Sequence, residues 1–163
     1  TIRPSSRCKL YKSSKELTEQ KGLKYLEELY TELINAPRSK VDLSIDWINK
    51  YPIKAGVYAV YDNSKMIYVG ETGNIRKRMN DLRYTMNHSL RRLLGERLFS
   101  SRQNYKKASS SNKYPSEIEL ELEKWMKENL KISYIVVNLG RKELEEKFTE
   151  ENTQFLNKRT KRK

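Results

Sequence analysis

The chain has 163 residues in which 34 Lys and Arg stand against 21 Asp and Glu, a net charge of +13 that points to a polyanionic partner. At 36% hydrophobic, with 11 Tyr and 3 Phe, it is polar yet able to bury the core of one ordinary domain. No apolar run reaches the ~18–20 residues of a membrane span, no signal-peptide pattern opens the chain, and one cysteine (Cys8) with one histidine (His88) supply neither a disulfide framework nor a structural zinc site, so a cytoplasmic protein is expected.

Residues 1–12 read as a loose basic leader. Ser13 with Glu16 forms a capping-box signature, and Leu23, Leu26, Tyr30, Leu33 and Ile34 recur at helical spacing, which predicts a helix over 14–35 ended by Asn35-Ala36-Pro37. A short helix around 44–50 follows, with Ile45, Trp47 and Ile48 docking on the core. Gly56-Val57-Tyr58-Ala59-Val60-Tyr61 and Met66-Ile67-Tyr68-Val69-Gly70 are β-branched and aromatic runs separated by a polar turn, the pattern of a β-hairpin. Asn74 caps a helix over 75–84, and Leu90, Leu93, Leu94 and Leu98 predict another over 89–99. Residues 100–114 are Ser-rich, basic and aperiodic, and read as a mobile loop or insertion. Ser116 with Glu119 forms a second capping box ahead of an amphipathic helix carrying Ile118, Leu122, Trp125, Met126 and Leu130. A third strand covers 132–138, and a last helix spans 142–153. The fold class is α/β (α+β): a small antiparallel β-sheet, hairpin 56–70 plus strand 132–138, flanked by helices. Residues 1–53 form an N-terminal helical extension packed on that core, and 158–163 an unstructured basic tail.

The charge is clustered. Residues 76–107 hold ten Lys and Arg against two acids, Asp81 and Glu96, and Lys158, Arg159, Lys161, Arg162 and Lys163 crowd the end of the chain. Clustering of this kind is the electrostatic footprint of a nucleic-acid binder, and it leaves DNA or RNA, binder or enzyme, open.

The hairpin carries more specific information. Gly56-Val57-Tyr58 opens it, Tyr68-Val69-Gly70 closes it, and Arg78 lies ten positions after Tyr68. Glu145 follows the third strand, and Asn157 lies twelve residues beyond Glu145. Together these positions closely resemble the GIY-YIG nuclease family across 54–157, with Val57 and Val69 in the places of isoleucines. The resemblance implies the GIY-YIG nuclease fold and Mg²⁺-dependent (or Mn²⁺-dependent) hydrolysis of double-stranded DNA by a standalone restriction-type or phage-type endonuclease, in a prokaryote or phage-infected cell. It implies Tyr58 as the base or water-orienting group beside Tyr68, Arg78 as the transition-state clamp, Glu145 as the metal ligand, and Asn157 completing the set.

These residue types suit the chemistry. Tyrosines on one face of a hairpin share a pocket, an arginine fork matches phosphate oxygens, and a carboxylate is a hard ligand for Mg²⁺. A phenol ionises near pH 10, so Tyr58 as a base needs cations such as Arg78, the metal or Lys77 close by. Many family members carry His or Tyr four residues after the arginine. Leu82 stands there in this chain and transfers no proton, so Tyr84 and His88 are the candidate replacements. Gly70, Thr72, Arg76, Lys77, Arg91, Arg92, Arg102, Lys106 and Lys107 are the expected DNA contacts, with Gly56 and Gly70 letting phosphate approach the backbone. A homodimer would set two active sites on two strands. The competing class is a non-catalytic DNA- or RNA-binding protein on a nuclease scaffold. Its mark would be loss of Tyr58, Arg78 or Glu145, and all three are present.

Overall fold

Strand β2 (Gly56–Asp62) is buried from Gly56 through Tyr61, with no alternation of inside and outside. It is the centre of a four-stranded antiparallel sheet in a computed structural model that describes residues 6–152 and 155–157, with side chains from residue 18 onward. The first five residues, the Cys8 side chain and the basic tail at 158–163 lie outside the described residues.

On one side β2 pairs with β3 (Lys65–Thr72), Gly56 lying opposite Thr72 and Tyr58 opposite Gly70. On the other it pairs with β4 (Leu130–Val136), with Tyr58 opposite Tyr134. A two-residue strand, β1 (Ser39–Lys40), joins the free edge of β4, giving the order β1-β4-β2-β3. β1 was not expected: two residues carry no period, and it exists only because Val41 N–H donates to the Leu130 carbonyl at 3.0 Å and neighbouring pairs follow.

Helices cover both faces, which is why β2 is apolar throughout. The long helix α1 (Ser6–Asn35) and α6 (Arg141–Glu151) bring Leu29, Leu33, Leu144 and Phe148 against Val57, Ala59 and Tyr61. Opposite them, α2 (Ile45–Asn49), α3 (Ile75–Asp81), α4 (Ser89–Phe99) and α5 (Ser116–Asn129) bring Trp47, Ile75, Leu94 and Leu122 against Tyr58, Val60 and Ile132. Each fully buried Leu or Val stabilises the fold by about 1.5–3 kcal/mol. The architecture is α+β, as expected. No helix among the described residues is long and apolar enough to cross a membrane.

Several boundaries move, each for a local reason. α1 starts at Ser6, so 6–12 is helix rather than loose leader, and Ser13 and Glu16 fall inside it instead of capping it. Ser44 caps α2 by accepting from Trp47 N–H at 3.1 Å, which buries Trp47 and Ile48 but leaves Ile45 exposed. α3 stops at Asp81, three residues early, because successive turns take over from Asn80 to Asn87. Ser116 and Glu119 form no capping box either. Pro115 occupies the N-cap of α5 without a side-chain bond, and the Glu119 carboxylate turns away to Tyr114 N–H, Thr85 and Arg91. Residues 100–114 are the largest difference. Tyr105, Ala108 and Tyr114 pack on the core, and the Tyr114 hydroxyl donates to the Arg92 carbonyl, so the segment is a folded strap rather than a loose loop.

Candidate active site

Tyr58 and Tyr68 project from the same face of the hairpin, their rings roughly parallel with centroids 6.1 Å apart. Tyr58 is fully buried. Its ring fits because residue 70 has no side chain: a Cβ on Gly70 would collide with the Tyr58 ring and hydroxyl. Gly70 therefore makes room for the Tyr58 ring inside the protein. Gly56 is closed in likewise, facing the Ile135 carbonyl and Ile75.

Two donors converge on the Tyr58 oxygen. Arg78 lies on α3, where Asn74 caps the helix through Lys77 N–H, and its Nε–H donates to Tyr58 Oη at 3.3 Å. His88 Nε2 stands 2.8 Å from the same oxygen. His88 is also the N-cap of α4, its Nδ1 accepting from Leu90 N–H at 3.1 Å. An acceptor at Nδ1 assigns the proton of a neutral imidazole to Nε2, so His88 donates to Tyr58. Burial first, then the cations Arg78 and Arg92, hold the imidazole well below its ordinary range and keep it neutral. Burial, with Tyr68 adding to it, pushes the Tyr58 phenol well up, and Arg78 opposes that rise. Tyr68 Oη shares a hydrogen bond with Ser89 Oγ at 3.1 Å.

Of the two candidates for the place left by Leu82, the fold brings His88 to the tyrosine. Leu82 is a buried C-cap residue, and Tyr84 is exposed, stacked under the Arg83 guanidinium, without contact to Tyr58. The turn that delivers His88 is tied down by two arginines. Arg91 Nη1 donates to the carbonyls of Leu82 and Arg83 while its Nη2 pairs with Glu119 at 3.0 Å. Arg92 Nη1 donates to the carbonyls of Thr85 and Met86, both at 3.0 Å.

Glu145 comes from α6 to the end of β3. Its Oε2 accepts the backbone N–H of Glu71 at 3.1 Å, and the Glu71 carboxylate is held by Arg141 at 3.2 Å. Burial first, then the neighbouring Glu71 charge, push the Glu145 carboxyl up, and Arg78 pulls it partly back. A hard dication at Glu145 relieves both effects, and its carboxylate with Glu71 is an all-oxygen donor pair, so the residues fit Mg²⁺ or Mn²⁺. No group of three or more His, Cys, Asp or Glu that could hold a metal ion gathers among the described residues. Asn157 sits on the same hairpin, its Nδ2 donating to the Val69 carbonyl at 2.6 Å. A cleft of about 450 Å³ lined by Glu71, Thr72, Asn74, Lys77 and Arg78 opens beside these groups, and no hydrogen bond among the described residues engages Arg78 Nη2.

The expected DNA contacts divide. Arg76 is a strut, donating to the carbonyls of Tyr51 at 2.7 Å and Asn49 at 3.1 Å. Arg91 is buried in the turn just described. Arg102 is exposed and paired with Glu121 at 2.6 Å. Thr72 closes the loop to Asn74, its hydroxyl both donating to and accepting from that residue's backbone. Lys77, Lys106 and Lys107 are exposed. Sequence reasoning missed Glu71, Ser89 and Asn87, the last of which accepts from Arg78 Nη1 at 3.2 Å. Glu71 could have been suspected from its place next to Tyr68-Val69-Gly70. Nothing local distinguishes Ser89 or a backbone carbonyl.

No curated protein and no solved structure matches the sequence. A family model does: the GIY-YIG catalytic domain matches residues 43–163. That match spans most of the chain and takes in the paired tyrosines, Arg78 and Glu145 within one α+β sheet, and the chain belongs to the GIY-YIG nuclease family.

Proposed function

We propose that this chain is a restriction-type or phage-type endonuclease that hydrolyses phosphodiesters of double-stranded DNA with Mg²⁺ or Mn²⁺ at Glu145, with 54–157 as its catalytic unit and residues 1–53 as an extension. The basic tail at 158–163, Lys77, Lys106 and Lys107 add backbone contacts, and a homodimer acting in the cytoplasm would cut both strands. The observation that carries this reading is the Tyr58 oxygen, buried and met by two N–H donors, Arg78 Nε and His88 Nε2.

The resting Tyr58 hydroxyl orients the attacking water. To act as the base Tyr58 must first lose its own proton to solvent; the two donors aimed at Oη, one of them cationic, stabilise that phenolate, which then takes the proton of the attacking water and returns to the neutral phenol. His88 acts there as a donor and not as a base, because Leu90 N–H occupies its other nitrogen. Arg78 Nη2 takes a phosphate oxygen, and Tyr68, held by Ser89, walls the pocket. Glu145 would hold the dication, with Glu71 beside it, and the bound ion supplies charge neutralisation at the phosphate and the leaving oxygen.

The test is supercoiled plasmid incubated with wild type or Glu145→Gln, in Mg²⁺, Mn²⁺ or EDTA. Nicked and linear products that need both the metal and Glu145 support the proposal. Intact plasmid throughout, from folded protein that still binds the duplex, would overturn it in favour of a non-catalytic binder, and cleavage of RNA alone would change the substrate.

A further inference from the structure

The strap at 100–114 does more than cover the core. It leaves a cleft of about 220 Å³ between itself and α4, lined by Ser89, Arg92, Leu93, Glu96, Lys107 and Ala108. The cleft is built rather than incidental. Tyr114 is buried against Gly95, where any Cβ would strike its ring, its hydroxyl is bonded to the Arg92 carbonyl, and its backbone N–H is held by Glu119 at 2.8 Å. Tyr105 braces Tyr114 with ring centroids 5.8 Å apart.

The lining is chemically mixed. Arg92 has Nη1 committed to two carbonyls, while no hydrogen bond among the described residues engages its Nε or Nη2. Lys107 forms no ion pair among the described residues. Leu93 and Ala108 give the cleft an apolar wall, and Glu96 gives it an acceptor. The cleft is also joined to the tyrosine pocket, because Ser89 lines it and shares its hydroxyl with Tyr68.

We infer that this cleft is a subsite for the nucleotide next to the scissile phosphate: Arg92 and Lys107 take its phosphate, the apolar wall takes its sugar, and Glu96 accepts from an amine on its base. The inference rests on the nuclease reading for which phosphate is scissile. Two cations alone would suit any anion. The apolar wall and the carboxylate suit a nucleotide better than a bare phosphate, because a carboxylate repels a bare anion and accepts from a base edge.

The experiment is duplex binding in EDTA, where nothing is cut, as a function of salt. Lys107→Ala alters an exposed side chain and removes one phosphate contact. It should reduce the slope of log K against log salt by about 0.9, which between 1 M and 0.1 M salt is a loss of roughly eightfold in the affinity gained. Lys124→Ala, an exposed lysine on α5, should leave the slope unchanged. Equal slopes for the two variants overturn the phosphate half of the subsite. Glu96→Ala, which removes the acceptor, should erase a base preference seen when wild type selects from duplexes with randomised pairs, and an unchanged preference overturns the base half. A Lys107-dependent slope in a protein that never cuts plasmid keeps the cleft and sinks the nuclease reading. Cutting without that dependence does the reverse.

Discussion

His88 makes the fold sensitive to mild acid, and the size of the effect follows from its surroundings. It is the one histidine of the chain, fully buried among Tyr58, Tyr68, Arg78, Arg92 and the first turn of α4. Protonation would put a hydrogen on Nδ1, where Leu90 N–H already points, and would add a cation beside two arginines. Folded protein therefore holds the imidazole neutral, whereas unfolded chain takes up a proton below about pH 6.5. The unfolded state then binds more protons, so stability is present above the unfolded pKa and lost as pH falls. The loss is at most about 1.4 kcal/mol per pH unit, and amounts to about 2 kcal/mol at pH 5 if the folded imidazole is still neutral there. Urea unfolding between pH 8 and pH 5 should show this fall. His88→Asn, which keeps a capping acceptor but does not titrate, should flatten it. Proton NMR should show no imidazole titration in the folded state over that range. A flat stability profile, with an imidazole titrating near pH 6.5, would refute both the tautomer and the burial argument.

Four further outcomes follow from the site. Tyr58→Phe should fold and bind duplex yet lose about 10²–10⁴ in cleavage rate, measured in single turnover, and a wild-type rate would reduce Tyr58 to packing. Glu145→Gln should abolish metal-dependent cleavage with duplex affinity in EDTA unchanged; full activity there, with loss in Glu146→Gln, would move the ligand by one position. Gly70→Ala should displace the Tyr58 ring and inactivate the enzyme despite adding only a methyl group, a result that near-wild-type rates would contradict. Arg91→Ala should cost about 3–5 kcal/mol in urea unfolding, because Glu119 and the turn carbonyls lose their partner inside the protein. A stable Arg91→Ala protein with weakened DNA binding would restore the surface role.

The hairpin, β4 and the helices were legible because their signals are local: β-branched runs, leucines at helical spacing, and Asn74 at a helix start. The grouping of Tyr58, Arg78 and Glu145 was legible only through the family resemblance, which carries three-dimensional information that periodicity does not. Charge was the least legible signal. Arg76 and Arg91 look like part of a phosphate-binding run, but a guanidinium satisfies backbone carbonyls as well as phosphates, and the fold sets both against carbonyls. The strap was misread for a related reason. Ser-rich composition hides Tyr105, Ala108 and Tyr114, and the burial of Tyr114 depends on Gly95 in α4. His88 was weighed against Tyr84, and its place depended on where α3 ended.

The hold on Glu145 comes from the main chain of residue 71, not from its side chain. Every amino acid except proline carries that N–H, so the orientation of the acidic ligand is indifferent to the residue at 71. A substitution at 71 would thus change the local field, and with it the second oxygen donor, while Glu145 stays aimed. A side-chain clamp would have demanded paired changes. A backbone clamp lets one position evolve alone.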